Sequence, residues 1–218
     1  MPHPRDTITA SLFKESVMLR PLPCILFLAA SLITFSLPAK DPETGWVELY
    51  NGKDLTGWGY YSNPKGNINP NSKDRGEFVS FDGKTEASDQ RYSAKGETIV
   101  VNAGKGIQVL WTKKLFPKNM EIRFEFRAAV NADSGFFIRN KQLQVRDYLV
   151  AGPYKLLQKY KPQDWNEVVV TVKGQNAMGA CNGETLDAGI ELSPTGALGL
   201  EADRAQMEFR KIRVKEMN

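Results

Sequence analysis

The chain contains very little histidine: His3 carries the only imidazole among its 218 residues. Because His3 lies in an N-terminal segment that we expect to be removed, the folded part should lack Ser-His-Asp and Cys-His catalytic sets and histidine-ligated metals. Asp82-Gly83 and Asp89 do not form a recognisable spacing of oxygen ligands for calcium. We therefore predict no metal site and no cofactor.

Cysteine is almost as scarce, with Cys24 and Cys181 as the two thiols. Cys24 stands at the start of an apolar run rather than after it, which disfavours a lipid anchor. Once that run is removed Cys181 stands alone, so no intrachain disulfide can form. The hydrophobic core must then hold the fold by itself.

A long hydrophobic run is also missing. The mostly apolar stretch Cys24–Leu37 follows Arg20 and precedes Pro38-Ala39, and it is shorter than the ~20 residues of a membrane span. Its order of a positive region, an apolar region and a small residue is that of a secretory signal peptide. We predict removal of residues 1–39, with Met18 as the true initiator, and a secreted or periplasmic protein. An uncleaved anchor is the alternative.

The charge shows no block of one sign. The net formal charge is +4, and acidic and basic residues are interspersed along the chain. A nucleic-acid partner is poorly supported, because a binding surface for nucleic acid normally appears as a clustered basic face. The remaining residues 40–218 suffice for one domain with a sizeable core. No feature of the sequence fixes the oligomeric state.

The clearest pattern lies in residues 119–148. From Met120 to Arg127 apolar and charged residues alternate strictly, as in a half-buried strand. Turn-forming residues 131–135 and the apolar run Phe136–Arg139 follow, which predicts that the two segments pair as a hairpin. In the next strand, Leu143 and Val145 point to one side, and Gln142, Gln144 and Arg146 point to the other.

Most other segments also have strand character. Short apolar runs alternate with turn signals such as Asp82-Gly83 and Asn182-Gly183. Many short strands without intervening helices predict an all-β fold, an antiparallel two-sheet β-sandwich of jelly-roll type. The predicted strands, besides the hairpin and Gln142–Arg146, are Trp46–Tyr50, Glu77–Phe81, Thr98–Val101, Gly106–Thr112, Trp165–Lys173, Ala177–Cys181, Gly196–Glu201 and Met207–Lys215.

Six short motifs occur in series along the chain: residues 46–58 with N-G-K-D-L inside them, Asp133–Arg139, Gln144–Asp147, Asp164–Glu167, Asn182-Gly183 and Met207–Arg213. Together they resemble the 3-keto-disaccharide hydrolase domain family over nearly all of residues 45–215. The resemblance implies a concanavalin A-like sandwich, an exported location and a carbohydrate substrate. No individual motif is decisive, but six in the expected order are hard to obtain by chance.

One position departs from the family pattern. Members usually read Glu-x-Gln-x-x-Asp after the Ser-Gly strand, whereas this chain has Gln142 at the first acid and keeps Gln144 and Asp147. An amide cannot hold a titratable proton. The chain is therefore either a glycoside-cleaving enzyme that uses another base or a non-catalytic, lectin-like carbohydrate-binding module.

The resemblance suggests a mechanism that needs no histidine. A ketone at C3 of a glycoside acidifies the C2 proton, so a carboxylate can remove it, the C1 substituent can leave, and water can add back. We assign Asp147 as the base and Arg139 as the charge that stabilises the enolate. The residues expected to bind or orient the sugar are Gln142, Gln144, Arg146, Tyr148, Trp58 and Trp111, with Glu86 and Glu125 as reserve bases.

Each of these residues also has a purely structural explanation. Tryptophans in a sandwich are more often core residues than sugar platforms. Glu125 alternates with arginines on its strand and can form ion pairs across the sheet. Arg146 and Asp147 can pair with each other, and Glu86 can lie in a solvated loop. The sequence alone does not separate these alternatives.

Overall fold

The computed structural model of the protein describes residues 45–62, 75–117, 119–147 and 152–217. The predicted signal peptide lies outside the described residues, as does Tyr148. Within the described ranges, the one helical segment is a short 3-10 helix, Gly152–Leu156, and no helix there has the length and apolar character needed to cross a membrane.

Strands account for most of the described chain. Fourteen are present in the described ranges, and those from β6 onward include the longest. The strands are β1 Val47–Glu48, β2 Trp58–Tyr61, β3 Phe78–Ser80, β4 Tyr92–Lys95, β5 Thr98–Val101, β6 Gln108–Thr112, β7 Met120–Ala128, β8 Asp133–Ile138, β9 Lys141–Arg146, β10 Asn166–Lys173, β11 Asn176–Cys181, β12 Glu184–Glu191, β13 Leu198–Ala202 and β14 Met207–Glu216.

The strands form two antiparallel sheets. Sheet A has the order β12-β11-β10-β7-β14-β5-β4, with β1 beside β14, and sheet B has the order β3-β2-β6-β13-β8-β9. The two sheets pack face to face around one apolar interior. The predicted antiparallel β-sandwich is confirmed.

The alternation in β7 determines which side chains enter the core. Met120, Ile122, Phe124 and Phe126 are buried, while the charged residues between them face outward from sheet A. Phe124 stacks on Phe136 of sheet B, with ring centroids 4.3 Å apart and planes 14° apart. This stack joins the two sheets across the interior.

The predicted hairpin of β7 and β8 is wrong. Strand β7 pairs with β10 and β14 in sheet A, whereas β8 pairs with β9 and β13 in sheet B. Between them the chain turns at Asn131, whose φ of 58° is left-handed, and crosses from one sheet to the other. A period of two shows that a strand has a buried face, but it does not show which strand lies beside it.

Three strands were not predicted: β2, β4 and β12. Strand β12 is mostly exposed, and its sequence Glu184–Glu191 has too few apolar residues to show an alternation. Strands β2 and β4 have four residues each and lie beside turns. Their strand conformation comes from pairing with neighbouring strands, which local sequence does not record.

Candidate functional site

The outer face of sheet B, the side turned away from the core, gathers polar side chains from β9. Leu143 and Val145 enter the core, and the period of two therefore places Gln142, Gln144 and Arg146 on the outer face. The structure thus brings three of the predicted sugar-binding residues together on one surface.

Two carboxylates from neighbouring strands meet these side chains. Gln142 Nε2 donates a hydrogen bond of 2.6 Å to Glu201 Oε2. Gln144 Nε2 donates one of 2.9 Å to Asp133 Oδ1, and Arg146 Nη2 lies 3.4 Å from the same oxygen. We call these five residues the polar cluster.

Gly135 makes the contact between Gln142 and Glu201 possible. The two residues lie on β9 and β13, with β8 between them. A β-carbon at Gly135 would collide with the Gln142 side chain. Because Gly135 has no side chain, the Gln142 amide can extend over β8 and reach the Glu201 carboxylate.

The carboxyl of Glu201 is held in an environment that favours its neutral form. Its residue is only 6% exposed. Burial, with smaller contributions from the negative charges of Asp203 and Asp133, raises the pKa of Glu201 to about 7, although the hydrogen bond from Gln142 opposes the rise. An acid with this pKa can both accept and donate a proton near neutral pH.

Aromatic rings occupy the other half of the outer face. Trp111 and Phe137 lie on the strands that flank β13, with ring centroids 5.3 Å apart in an edge-to-face arrangement. A β-carbon at Gly199 would come within 2.6 Å of the Trp111 ring, so this glycine lets the indole lie flat on the sheet. Tyr61 and Phe78 pack on this small cluster and are partly exposed.

Trp111 therefore lies on the face that carries the polar cluster, but it is only 3% exposed. Its ring supports Tyr61, 6.5 Å away between centroids, and has little free surface. Trp58 is fully buried in the sandwich core, and its indole N–H donates a 2.7 Å hydrogen bond to the Leu49 carbonyl. Neither indole offers an open face to a sugar, so both stacking assignments are corrected.

Asp147 lies on the opposite side of β9 from the polar cluster. It is two residues beyond Val145 and is buried. Its carboxylate accepts hydrogen bonds from the Asn131 backbone N–H at 2.8 Å, from the Tyr160 hydroxyl at 3.4 Å and from the Gln163 side-chain amide. A carboxylate held in this way fixes the turns around it, and we withdraw its assignment as the base.

Arg139 also has structural partners. The residue is 1% exposed. Its guanidinium donates to three backbone carbonyls, those of Phe116 at 2.6 Å, Gly174 at 2.8 Å and Ser193 at 3.3 Å. Burial lowers the pKa of Arg139. The side chain joins loops at one end of the sandwich, so the enolate role is withdrawn too.

The two reserve bases lie on sheet A. Glu125 pairs with Arg210 at 2.6 Å and Lys211 at 2.7 Å on the outer face of that sheet. Glu86 forms an isolated bridge with Ser93 of β4, whose hydroxyl donates to it at 3.2 Å. Glu125 on β7 and Glu86 beside β4 thus both belong to the side of sheet A, and the polar cluster belongs to sheet B.

The family is established by sequence. The model of the 3-keto-alpha-glucoside-1,2-lyase-like domain family matches residues 45–215. The chain belongs to this family. No curated protein matches its sequence.

Solved structures resemble the fold of this family member. One is a protein from Parabacteroides distasonis, provisionally described as a glycosyl hydrolase, with 17% identity, a TM-score of 0.57, and coverage of 80% of this chain and 95% of that one. A second protein with the same description and source has 17% identity, a TM-score of 0.53, and coverage of 79% and 99%. At this identity the likeness concerns the fold alone.

Glu201 and Asp133 were not among the site residues predicted from the sequence of this 3-keto-alpha-glucoside-1,2-lyase-like domain. A weak signal was available for Glu201, because Leu198 and Leu200 alternate with it and so place it on the outer face. The neighbours of Glu201 could not be predicted from the sequence, because β13 is separated in sequence from both β8 and β9.

Among the described residues, no group of three His, Cys, Asp or Glu side chains is placed to hold a metal ion.

Proposed function

We propose that this domain cleaves 3-keto-glycosides, with Glu201 as the base that removes the C2 proton. One observation carries the proposal: a buried carboxyl on the outer face of sheet B, hydrogen-bonded by Gln142, has a pKa raised to about 7. Such a carboxylate is a stronger base than an exposed one and is still substantially ionised at neutral pH.

The reaction needs only one base and a stabilised enolate. Glu201 takes the proton from C2, and the electron pair of that bond moves toward the C3 ketone. The enolate then expels the C1 substituent, whose oxygen leaves with the electron pair of the C1–O bond and is protonated by Glu201 or by water. This step leaves a double bond between C1 and C2. Water adds across it, with its hydroxyl on C1 and a proton returned to C2.

Arg146 and Gln144 are the proposed partners of the enolate oxygen. Arg146 lies beside Gln144 on the same face, where Asp133 holds both. A fixed cation and an amide donor aimed at one region can stabilise developing negative charge without reorganising. These roles replace the one first given to Arg139.

The amide at position 142 is compatible with this chemistry. The proton acceptor comes from β13, and Gln142 is the residue that orients it. The family name and the fold shared with proteins provisionally described as glycosyl hydrolases support a carbohydrate substrate. A lectin-like module would need the same face but no carboxyl of raised pKa.

The test is release of the C1 substituent from a 3-keto-glucoside by wild type and by Glu201→Gln. We expect the variant to lose on the order of a hundredfold or more in kcat, because the base is removed while the shape is kept. The matched control is Glu191→Gln, which changes an exposed carboxylate on β12 of sheet A. The unoxidised glucoside should not react.

The pH profile gives a second readout. For wild type, kcat/KM should rise with pH and level off above about 7, where Glu201 is ionised. Equal rates for Glu201→Gln and wild type would overturn the role of Glu201. A wild-type protein that binds the 3-keto-glucoside without cleaving it would be a binding module.

A further inference from the structure

A pocket adjoins the aromatic half of the outer face of sheet B, at the edge formed by β2 and β3. Its volume is about 410 Å³. Nothing in the proposed chemistry uses it, because Glu201 and its partners lie on β13, β8 and β9. Its main lining side chains are Tyr61, Phe78, Leu115, Arg75, Lys113 and Glu77.

The position of this pocket relative to Glu201 follows from the strand order. Strand β6 lies between β13 and β2, so Tyr61 is two strand spacings, about 10 Å, from the strand of Glu201. Gly59 and Gly199 both pair with Trp111, and the rings of Phe78 and Trp111 lie over these two glycines, so the surface on this side of Glu201 is aromatic. A substrate with its reacting ring at Glu201 would extend its C1 substituent across this surface toward Tyr61.

The lining suits an aromatic group. Tyr61 and Phe78 are partly exposed rings packed edge to face, with centroids 5.3 Å apart, and Leu115 adds an apolar side chain that is 39% exposed. Rings in this arrangement offer both faces and edges to a third ring. Two half-buried rings and an aliphatic side chain therefore form an apolar wall.

Positive charge lies at the same pocket. The guanidinium of Arg75 lies 5.1 Å from the centre of the Tyr61 ring. Lys113, paired at 3.8 Å with Asp82, also lines the pocket. When the C1–O bond breaks, its electron pair goes to the oxygen of the departing group. Nearby cations stabilise such an oxyanion, and a phenolate can leave without being protonated first.

We propose that this pocket is the leaving-group subsite and that it takes an aromatic, phenolic aglycone. The inference rests on the proposed function for its catalytic meaning, but binding of the aromatic group does not depend on cleavage. A second sugar ring is the competing occupant. Such a ring could bond to Arg75, Lys113 and Glu77, but it would leave the apolar wall of Phe78 and Leu115 without a matching partner.

The experiment uses two substitutions with little effect on the core. Tyr61→Leu removes the ring and keeps apolar bulk, and Leu115→Ala shortens a partly exposed side chain. The matched control is Met178→Ala, which changes an exposed side chain on β11 of the other sheet. Thermal unfolding of each variant checks that it is folded.

Binding is measured first, by calorimetry with unoxidised phenyl α-glucoside and methyl α-glucoside. Wild type should prefer the phenyl ligand, and each pocket variant should lose about tenfold of that preference, while Met178→Ala keeps it. Cleavage is then compared for the 3-keto forms of the same two glucosides, where kcat/KM for the phenyl substrate should fall in parallel and that for the methyl substrate should not.

The outcomes separate the two proposals. Loss of phenyl binding in the variants, with no cleavage of any 3-keto-glucoside by wild type, supports the subsite and overturns the proposed function. Cleavage that is equally fast for phenyl substrates in wild type and both variants overturns the subsite. A wild-type preference for a glucosyl disaccharide over the phenyl glucoside, lost in Tyr61→Leu, would also overturn it in favour of a sugar ring.

Discussion

At the scale of single residues, the protein places a carboxyl where its charge is costly. Glu201 is buried on the central part of sheet B, near Asp203 and Asp133, and Gln142 supplies the hydrogen bond that partly offsets the burial. A chain that only needed a stable outer face would gain by placing an amide or an apolar residue at position 201. Proteins keep such groups mainly at functional sites.

The cost of Glu201 should appear as a dependence of stability on pH. Its pKa is about 7 in the folded protein and about 4.5 when unfolded, so the folded state holds the proton more tightly. The free energy of unfolding should therefore fall as pH rises from about 4.5 to about 7, by at most roughly 3 kcal/mol. Denaturant unfolding at several pH values measures it.

Glu201→Gln tests the origin of that slope. The variant cannot ionise at this position, so this part of the pH dependence should vanish and the variant should be more stable than wild type at pH 8. At pH 4 the two should be similar. A variant less stable than wild type at pH 8 would show that the Glu201 carboxylate stabilises the fold, contrary to this explanation.

At the scale of elements, the residues of β9 that face outward belong to the proposed site, whereas the residue just after β9 has a structural role. Gln142, Gln144 and Arg146 face outward, and one residue farther Asp147 turns to the other side and joins the turns that follow β7 and precede β10. Arg139 acts in the same way at the opposite end of β8, where it joins three carbonyls. Asp147 and Arg139, which each follow the last residue of a strand, therefore connect loops rather than contribute to the proposed chemistry.

Asp147→Asn should therefore affect stability more than activity. The asparagine keeps one oxygen for the Asn131 N–H, but its NH2 group meets the Gln163 amide, another donor. We expect a loss of about 1–2 kcal/mol in the free energy of unfolding, with kcat within a few-fold of wild type. Chemical denaturation and the 3-keto-glucoside assay measure the two quantities. A hundredfold fall in kcat in a stable variant would return the base role to Asp147.

At the scale of the whole molecule, the sandwich formed by the described residues supports the site without a disulfide, because Cys181 is the one cysteine among them. Cys181 is buried in the core, where burial raises the pKa of its thiol to about 12, so this thiol stays protonated and unreactive. The two sheets are held by apolar packing such as the Phe124–Phe136 stack. Packing of this kind does not depend on the redox state of the surroundings.

A fold that is stable without disulfides is compatible with an exported protein, but it is equally compatible with other locations. We propose that the chain is exported and that residues 1–39 are removed, because the stretch Cys24–Leu37 has the order of a signal peptide. The intact mass of protein recovered from the periplasm or medium should correspond to a chain that begins near Lys40. A mass that includes Cys24–Leu37 would indicate an uncleaved anchor.

The strand patterns and turn signals of the sequence were sufficient for the fold class, and alternation was sufficient for the buried side of β7 and β9. The period of two in β7 and β9 correctly separated core from surface, because it depends only on neighbours along the chain. It also placed Gln142, Gln144 and Arg146 on one face. The family followed from motifs spread over residues 45–215.

Strand pairing was decided by tertiary structure alone. Which strands lie beside β8 depends on packing across the whole sandwich, and this pairing brings Glu201 from β13 to Gln142 on β9. For the same reason, the motif residues Asp147 and Arg139 could not be recognised as structural until their partners, distant in sequence, were placed. A carboxyl acquires its pKa from neighbours in space, and a single sequence records only its neighbours along the chain.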